Sequence, residues 1–138
     1  MILDADVLID LLRERPQAEN WLSGLGRLPT VSGMAALEVL YGARDAAEQR
    51  WVESFLVRFN ILWPSEGDAQ TTQHLARYHL SDGIELTDVM TAAIALRNKL
   101  TLATFNLKHF RSIPGLATLQ PYDRKESSPP SPMKSPAS

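Results

Sequence analysis

Along residues 1 to 122, short apolar runs of strand length alternate with stretches whose apolar residues recur at helical spacing, with turn-forming residues between them. That alternation leaves few architectures open. Strands separated by helices return to the same end of a sheet, so the pattern predicts an α/β fold: one domain with a central, mostly parallel sheet flanked by helices. Strands are expected at Ile2 and Leu3, at PTVS, at ILW before Pro64, at LTLAT and, on an edge, at LATLQ after Pro114 and Gly115. Helices are expected from Val7 to Arg13, from Pro16 through Leu22, and over the segment carrying Glu38 up to Gly42. Three more follow: one capped by Asp45, one after Pro64 through Leu80, and an alanine-rich one capped by Thr87 and running through Lys99. Trp51, Phe55, Leu56 and Phe59 mark an apolar stripe that reads as core or as a contact face between copies.

A chain of 138 residues is the size of one domain, and the reading assigns residues 1–123 to it. The remainder, RKESSPPSPMKSPAS from Arg124 to the end, is almost all Ser, Pro and charge and is expected to be disordered. It holds Arg124, Lys125 and Lys134 against Glu126, so the net charge of −2 leaves the preceding body at −4. An acidic body argues against nonspecific coating of nucleic acid, although bound divalent metal would invert the local field. Acids at positions 4, 6 and 10 interrupt any signal-peptide core, no apolar run approaches the roughly 18 residues of a membrane span, and there is no cysteine. A cytoplasmic protein without disulfides or thiolate metal sites is expected.

Three acids and one amide lie beside core-like segments: Asp4 in MILDADVLID, Glu38 in MAALEVLYG, Asp88 in LTDVMTAAIALRNKL and Asn106 after LTLATF. Carboxylates are costly to desolvate unless paired or bound to a cation, so their recurrence there points to one shared site. Asp4 and Asn106 fall near the carboxyl ends of parallel strands, where open α/β sheets place their sites. Asp88 shares a helical face with Ala92 and Ala95, although a helix N-terminus favours a carboxylate with no metal at all.

Together these residues resemble the PIN domain, and within it the VapC-type ribonuclease toxins of prokaryotic toxin–antitoxin pairs. The resemblance rests on ILDADVLIDLL, VSGMAALEVLYGA, LTDVMTAAIAL and LATFNLKHF in the family's order and approximate spacing. It implies a Mg²⁺- or Mn²⁺-dependent endoribonuclease with catalytic positions Asp4, Glu38, Asp88 and Asn106, of which Asp4 and Asp88 are read as direct metal ligands. Glu38 is read as a ligand or an acceptor of a proton from water, and Asn106 as a neutral oxygen ligand or water anchor. The chain departs from the pattern at Ala5, where Thr or Ser is common, at Asp6, read as a cap of the following helix or else as added charge in the site, and at His109, read as fixing the loop around Asn106. The resemblance further implies an RNA substrate, a homodimer formed through apolar faces of the early helices, and a cognate VapB-type antitoxin.

Two alternatives compete. ILDADVLID also resembles the first motif of haloacid-dehalogenase-like phosphatases, with Asp4 as nucleophile, and a non-catalytic PIN module would keep the acids for structure alone. Use of His74, His79 and His109 in metal-free RNA cleavage is disfavoured, because His74 and His79 are five apart and share a helical face poorly. Candidate cations for substrate phosphates are Arg44, Arg97, Lys99 and Lys108.

Overall fold

The computed structural model describes residues 1–124. The expected disordered tail, apart from Arg124, lies outside the described residues. The element order is β1 (Ile2–Leu3), α1 (Ala5–Leu12), α2 (Pro16–Ser23), β2 (Thr30–Ser32), α3 (Gly33–Tyr41), α4 (Ala46–Leu56), β3 (Ile61–Leu62), α5 (Glu66–Leu75), α6 (Arg77–Asp82), α7 (Leu86–Asn98), β4 (Leu102–Ala103), α8 (Leu107–Phe110) and β5 (Thr118–Leu119). The five strands form one sheet in the order β3-β2-β1-β4-β5, and every pairing is parallel. The expected sheet is therefore present, and fully parallel.

Parallel strands are covered on both faces by their crossover helices, so their residues are apolar on both sides. Side chains alternate across the sheet, and the core divides accordingly. Leu3, Val31 and Ala103 point into one cluster with Val7, Leu8, Leu12, Val52 and Phe55, whereas Ile2 and Leu102 point into the other with Ile84, Ile94 and Phe110. Phe55, Leu56 and Phe59 are all buried, and Trp51 packs against the same cluster, which settles the apolar stripe as core. The same is true of α1, whose Val7, Leu8, Leu11 and Leu12 are inside. Large apolar side chains that stay exposed include Leu37 and Tyr41 on α3, Leu80 on α6 and Leu86 on α7.

Several boundaries differ from expectation for identifiable reasons. Helix α1 begins at Ala5 because Asp4 is its cap, with the carboxylate accepting from the Ala5 amide at 2.8 Å. Asp6, read as the cap, instead lies in the first turn. Helix α7 begins at Leu86 after an extended Glu85, so Thr87 is not its cap either. Gly83 at φ 72° ends α6 in the left-handed region, and buried Ile84 then carries the chain to α7. The single helix expected up to Leu80 is two, α5 and α6, divided at Ala76, whose amide reaches Gln73 rather than a residue four back.

Asp45 caps α4 as expected, its carboxylate accepting from the Glu48 amide at 2.8 Å. At the β2–α3 junction, a Cβ on Gly33 would lie 2.5 Å from the Trp63 ring, so only glycine lets Trp63 cover the start of α3. Among the described residues, no helix is long and apolar enough to cross a membrane.

Candidate active site

The sheet order reverses direction at β1: the chain moves outward through β2 and β3, then crosses back to β4 and β5. A crevice opens at such a switch point, outside the carboxyl ends of the two strands that flank it. Asp4 follows the end of β1 and Thr104 the end of β4, so this topology brings together residues 100 apart in sequence. Helix α3 leaves β2, on the other side of β1, and carries Glu38, while the first turn of α7 carries Asp88.

Asp4 is almost wholly buried. One carboxylate oxygen accepts the Ala5 amide and the other accepts the Thr104 hydroxyl at 2.8 Å. Thr104 also lies 3.3 Å from Asp6 Oδ2 and accepts the Asn106 amide at 3.1 Å. Asp6 Oδ2 further accepts the Phe105 amide at 2.9 Å, whereas its Oδ1 is buried with no hydrogen-bond partner. Asp6 is thus a member of the acid cluster and ties α1 to the loop after β4, in line with the reading of added charge in the site and against that of a helix cap.

Burial raises the Asp4 carboxyl to about 7, with repulsion from Asp6 and, more weakly, Asp88 adding to it against the hydrogen bonds from Thr104 and Ala5. Asp88 is also raised, first by burial and then by the negative charge of Glu38, with His109 opposing. The His109 ring stands beside it, with Nδ1 3.8 Å from Asp88 Oδ2 and buried without a hydrogen bond. That position differs from the expected hydrogen bond fixing the Asn106 loop. Asp6 is raised as well, chiefly by burial, with the Phe105 amide and Arg124 pulling the other way. Mutual repulsion among Asp4, Asp6, Glu38 and Asp88 shows that they share one field. Asn106 and Glu38 are exposed at its edge.

Such a set suits a hard divalent cation. All its donors are carboxylate or amide oxygens, one buried oxygen has no partner, and a positive charge would offset both the burial and the repulsion from Asp6 that raise Asp4. Among the described residues, no three His, Asp or Glu side chains stand close enough together to ligate one ion as placed. Mg²⁺ commonly binds through one or two carboxylates and keeps several waters, so this open arrangement remains a fit.

Two of the expected cations are occupied elsewhere. Arg97 forks onto Asp68 with bonds of 2.9 Å and reaches the Trp63 carbonyl, and Arg44 Nε holds buried Glu48 at 2.7 Å. Lys108 is exposed, two residues beyond Asn106. Of the other histidines, His79 spends Nδ1 on the Ile84 carbonyl at 2.8 Å. Thr104 was missed by sequence reasoning. Its signal was a hydroxyl at the end of a buried strand, two residues before Asn106, where only a polar partner could justify it.

Comparison with known proteins agrees with this geometry. The sequence matches the PIN domain family over residues 1–116. No curated protein matches the chain. Among solved structures, a toxin–antitoxin complex from Klebsiella pneumoniae superimposes with a TM-score of 0.72 at 29% identity, covering 88% of this chain and 98% of that one. VapBC-1 from nontypeable Haemophilus influenzae gives a TM-score of 0.68 at 30% identity, covering 86% and 95%. DNA-bound VapBC from Salmonella typhimurium gives 0.66 at 25% identity, covering 86% and 95%. The family match decides against the haloacid-dehalogenase alternative, and with the structural likenesses it is conclusive: the chain belongs to the PIN domain family and is of the VapC type.

Proposed function

We propose that this chain is a divalent-metal-dependent endoribonuclease, the toxin of a type II toxin–antitoxin pair, acting on RNA in the cytoplasm. The observation that carries the proposal is the buried acid cluster at the sheet's switch point, where Asp4 is held near a pKa of 7 by burial and by its acidic neighbours. A structural acid gains nothing from such company.

Asp4 and Asp88 are the proposed ligands of Mg²⁺ or Mn²⁺. When bound, the ion would acidify a water and offset charge growing on the phosphoryl oxygens. The remaining work falls to the chain. Thr104 fixes Asp4 by donating to Oδ2, leaving the carboxylate oriented when its proton departs. Glu38, exposed on α3 and near enough to raise Asp88, accepts a proton from the attacking water. His109 stands at the site's rim, its Nδ1 3.8 Å from Asp88 Oδ2. Asn106 anchors a water or substrate oxygen from its exposed position, and Lys108 meets a neighbouring phosphate.

The solved complexes that this chain resembles are toxin–antitoxin assemblies, which supports a VapB-type antitoxin as its partner, with a basic segment to cover the acids. A homodimer is also proposed, with its contact among the exposed apolar side chains of α3, α6 and α7. The test is highly purified protein on total RNA with Mg²⁺, Mn²⁺ or EDTA. Metal-dependent cleavage abolished by EDTA supports the proposal, and intact RNA under all three conditions would leave a non-catalytic PIN module.

A further inference from the structure

Asp10 lies on α1, is 1% exposed, and takes no part in the chemistry above. A carboxylate so buried needs partners, and it receives them mainly from the far end of the chain. Tyr122 donates its hydroxyl to Oδ2 at 2.7 Å, and Arg124 forks across both oxygens at 2.9 and 2.8 Å. Arg15 adds an ion pair at 3.3 Å. The last described residues thus form a strap that returns from β5 across α1.

The strap continues into the acid cluster. The Arg124 guanidinium covers the Phe105 ring at 4.1 Å, and Tyr122 meets the same ring nearly edge-on at 5.0 Å. Phe105 is the residue whose amide holds Asp6 Oδ2. Arg124 Nη2 also donates to the Asp6 carbonyl at 3.3 Å. Asp6 is therefore held at its main chain by Arg124 directly and at its carboxylate through Phe105. Its second carboxylate oxygen remains without a partner.

We propose that Arg124, clamped by Asp10 and Tyr122, is a positioning residue of the acid site: it sets the Phe105 loop against Asp6 and thereby fixes how the cluster meets a cation. The inference deepens the proposed function and rests on it for the identity of the cation. It also places Arg124 inside the domain rather than in the tail.

Geometry and charge make opposite demands here, which gives a clean test. If Arg124 acted only as a nearby positive charge, removing it would tighten divalent-cation binding. As a clamp its removal weakens that binding, because the fork and the stacked plane are lost. Full-length Arg124→Gln and Arg124→Lys are titrated with Mn²⁺ by calorimetry well below their melting temperatures, and exchange of the Phe105 amide hydrogen is followed by NMR. Both variants are expected to bind Mn²⁺ about tenfold more weakly and to exchange the Phe105 amide about tenfold faster, the loss of one charge-assisted contact. Unchanged affinity and exchange in both, or tighter Mn²⁺ in Arg124→Gln with Arg124→Lys like the parent, overturns the proposal. Failure of the parent to bind Mn²⁺ would sink the metal reading instead, and the Phe105 exchange rate would still decide the clamp. Should Arg124→Gln not fold, Arg124→Lys keeps the ion pair and supplies both readouts, and parental values there reject the clamp.

Discussion

Asp68 and Asp4 are both inside this protein, 1% and 4% exposed, yet they are opposites. Asp68 closes a capping box with Ser65 at the start of α5 and takes both prongs of Arg97 from α7. Although burial pushes its carboxyl up, the bonds from Arg97 and Ser65 outweigh that effect and leave it below the ordinary value. Asp4 has an amide and a hydroxyl for partners and further carboxylates for neighbours, and its carboxyl rises to about 7. Burial is common to both, so burial does not mark function. What marks it is whether the surroundings neutralise the charge or leave it for something that arrives later.

The largest expected effect breaks the two apart by substitution. Asp4→Asn, Asp88→Asn and Glu38→Gln should each reduce metal-dependent RNA cleavage by about a hundredfold or more. Their folds should stand, and Asp4→Asn should melt higher than the parent at pH 8 because a repelled charge is gone. Asp68→Asn should do the reverse, lowering the melting temperature while cleavage measured well below it stays near the parental rate. An Asp4→Asn protein that melts lower and cleaves normally would make Asp4 a structural acid like Asp68.

Proton linkage separates them next. Between the ordinary unfolded value of about 3.9 and its folded value of about 7, Asp4 holds more protons in the folded state than in the unfolded one. Its contribution to stability therefore falls as pH rises through that window and is level above it. Asp68, depressed on folding, contributes stability that is present above its unfolded value and lost as pH falls toward its folded one. Thermal melts of the metal-free parent and Asp4→Asn from pH 4 to 8 should show the difference between them growing with pH. Mn²⁺ affinity should weaken below about pH 7 as the cation competes with the Asp4 proton. An affinity flat from pH 5 to 8 would show that Asp4 is not a ligand.

Only the Asp4 side of this contrast was legible in the sequence. The strands could be read because two or three apolar residues sit between turn signals, and Asp4, Glu38, Asp88 and Asn106 stood out as candidates because acids and amides rarely adjoin such runs. The N-terminal boundaries of α1 and α7 lie two residues before the expected caps Asp6 and Thr87, at Asp4, which caps through its carboxylate, and at Glu85, which makes no side-chain cap bond; Asp4, Asp6 and Thr87 are all competent caps, and packing chooses among them. Asp10 with Arg124 and Thr104 with Asp4 were out of reach. Those pairs are 114 and 100 residues apart, and they meet only because β1 lies centrally, between β2 and β4. The break at Ala76 carries no Gly or Pro to announce it.

Thr104→Val sharpens the comparison at a smaller scale, because it removes the one side-chain donor to Asp4 and leaves it the Ala5 amide alone. Without that donor the Asp4 carboxyl should rise further, and Asp6 Oδ2 and the Asn106 amide each lose a contact. Cleavage at pH 7 is expected to fall about tenfold, the usual scale for a group that orients a ligand. Activity should recover partly at higher pH, where Asp4 ionises even without help. A loss that is the same at every pH would assign Thr104 to packing rather than to the charge of Asp4.

The smallest expected effect is Asn106→Asp, and it tests how far the site's field extends. Asn106 stands at the N-terminal edge of α8, is exposed, and bonds Thr104 through its main-chain N–H only, so a carboxylate can replace the side-chain amide without strain or desolvation. Another negative oxygen facing the cluster attracts a divalent ion, but water screens an exposed charge, so Mn²⁺ affinity should rise by no more than about fivefold. The same charge adds to the repulsion felt by Asp4 and Asp88, so the metal-free protein should become slightly less stable at pH 8. Tighter binding with lower metal-free stability is the signature of an acid added to a functional cluster. Were Asp introduced beside Asp68 instead, Arg97 would already be committed and only the stability loss would appear. Unchanged or weaker Mn²⁺ binding in Asn106→Asp would place residue 106 outside the cation's surroundings and leave Asp4, Glu38 and Asp88 to hold it alone.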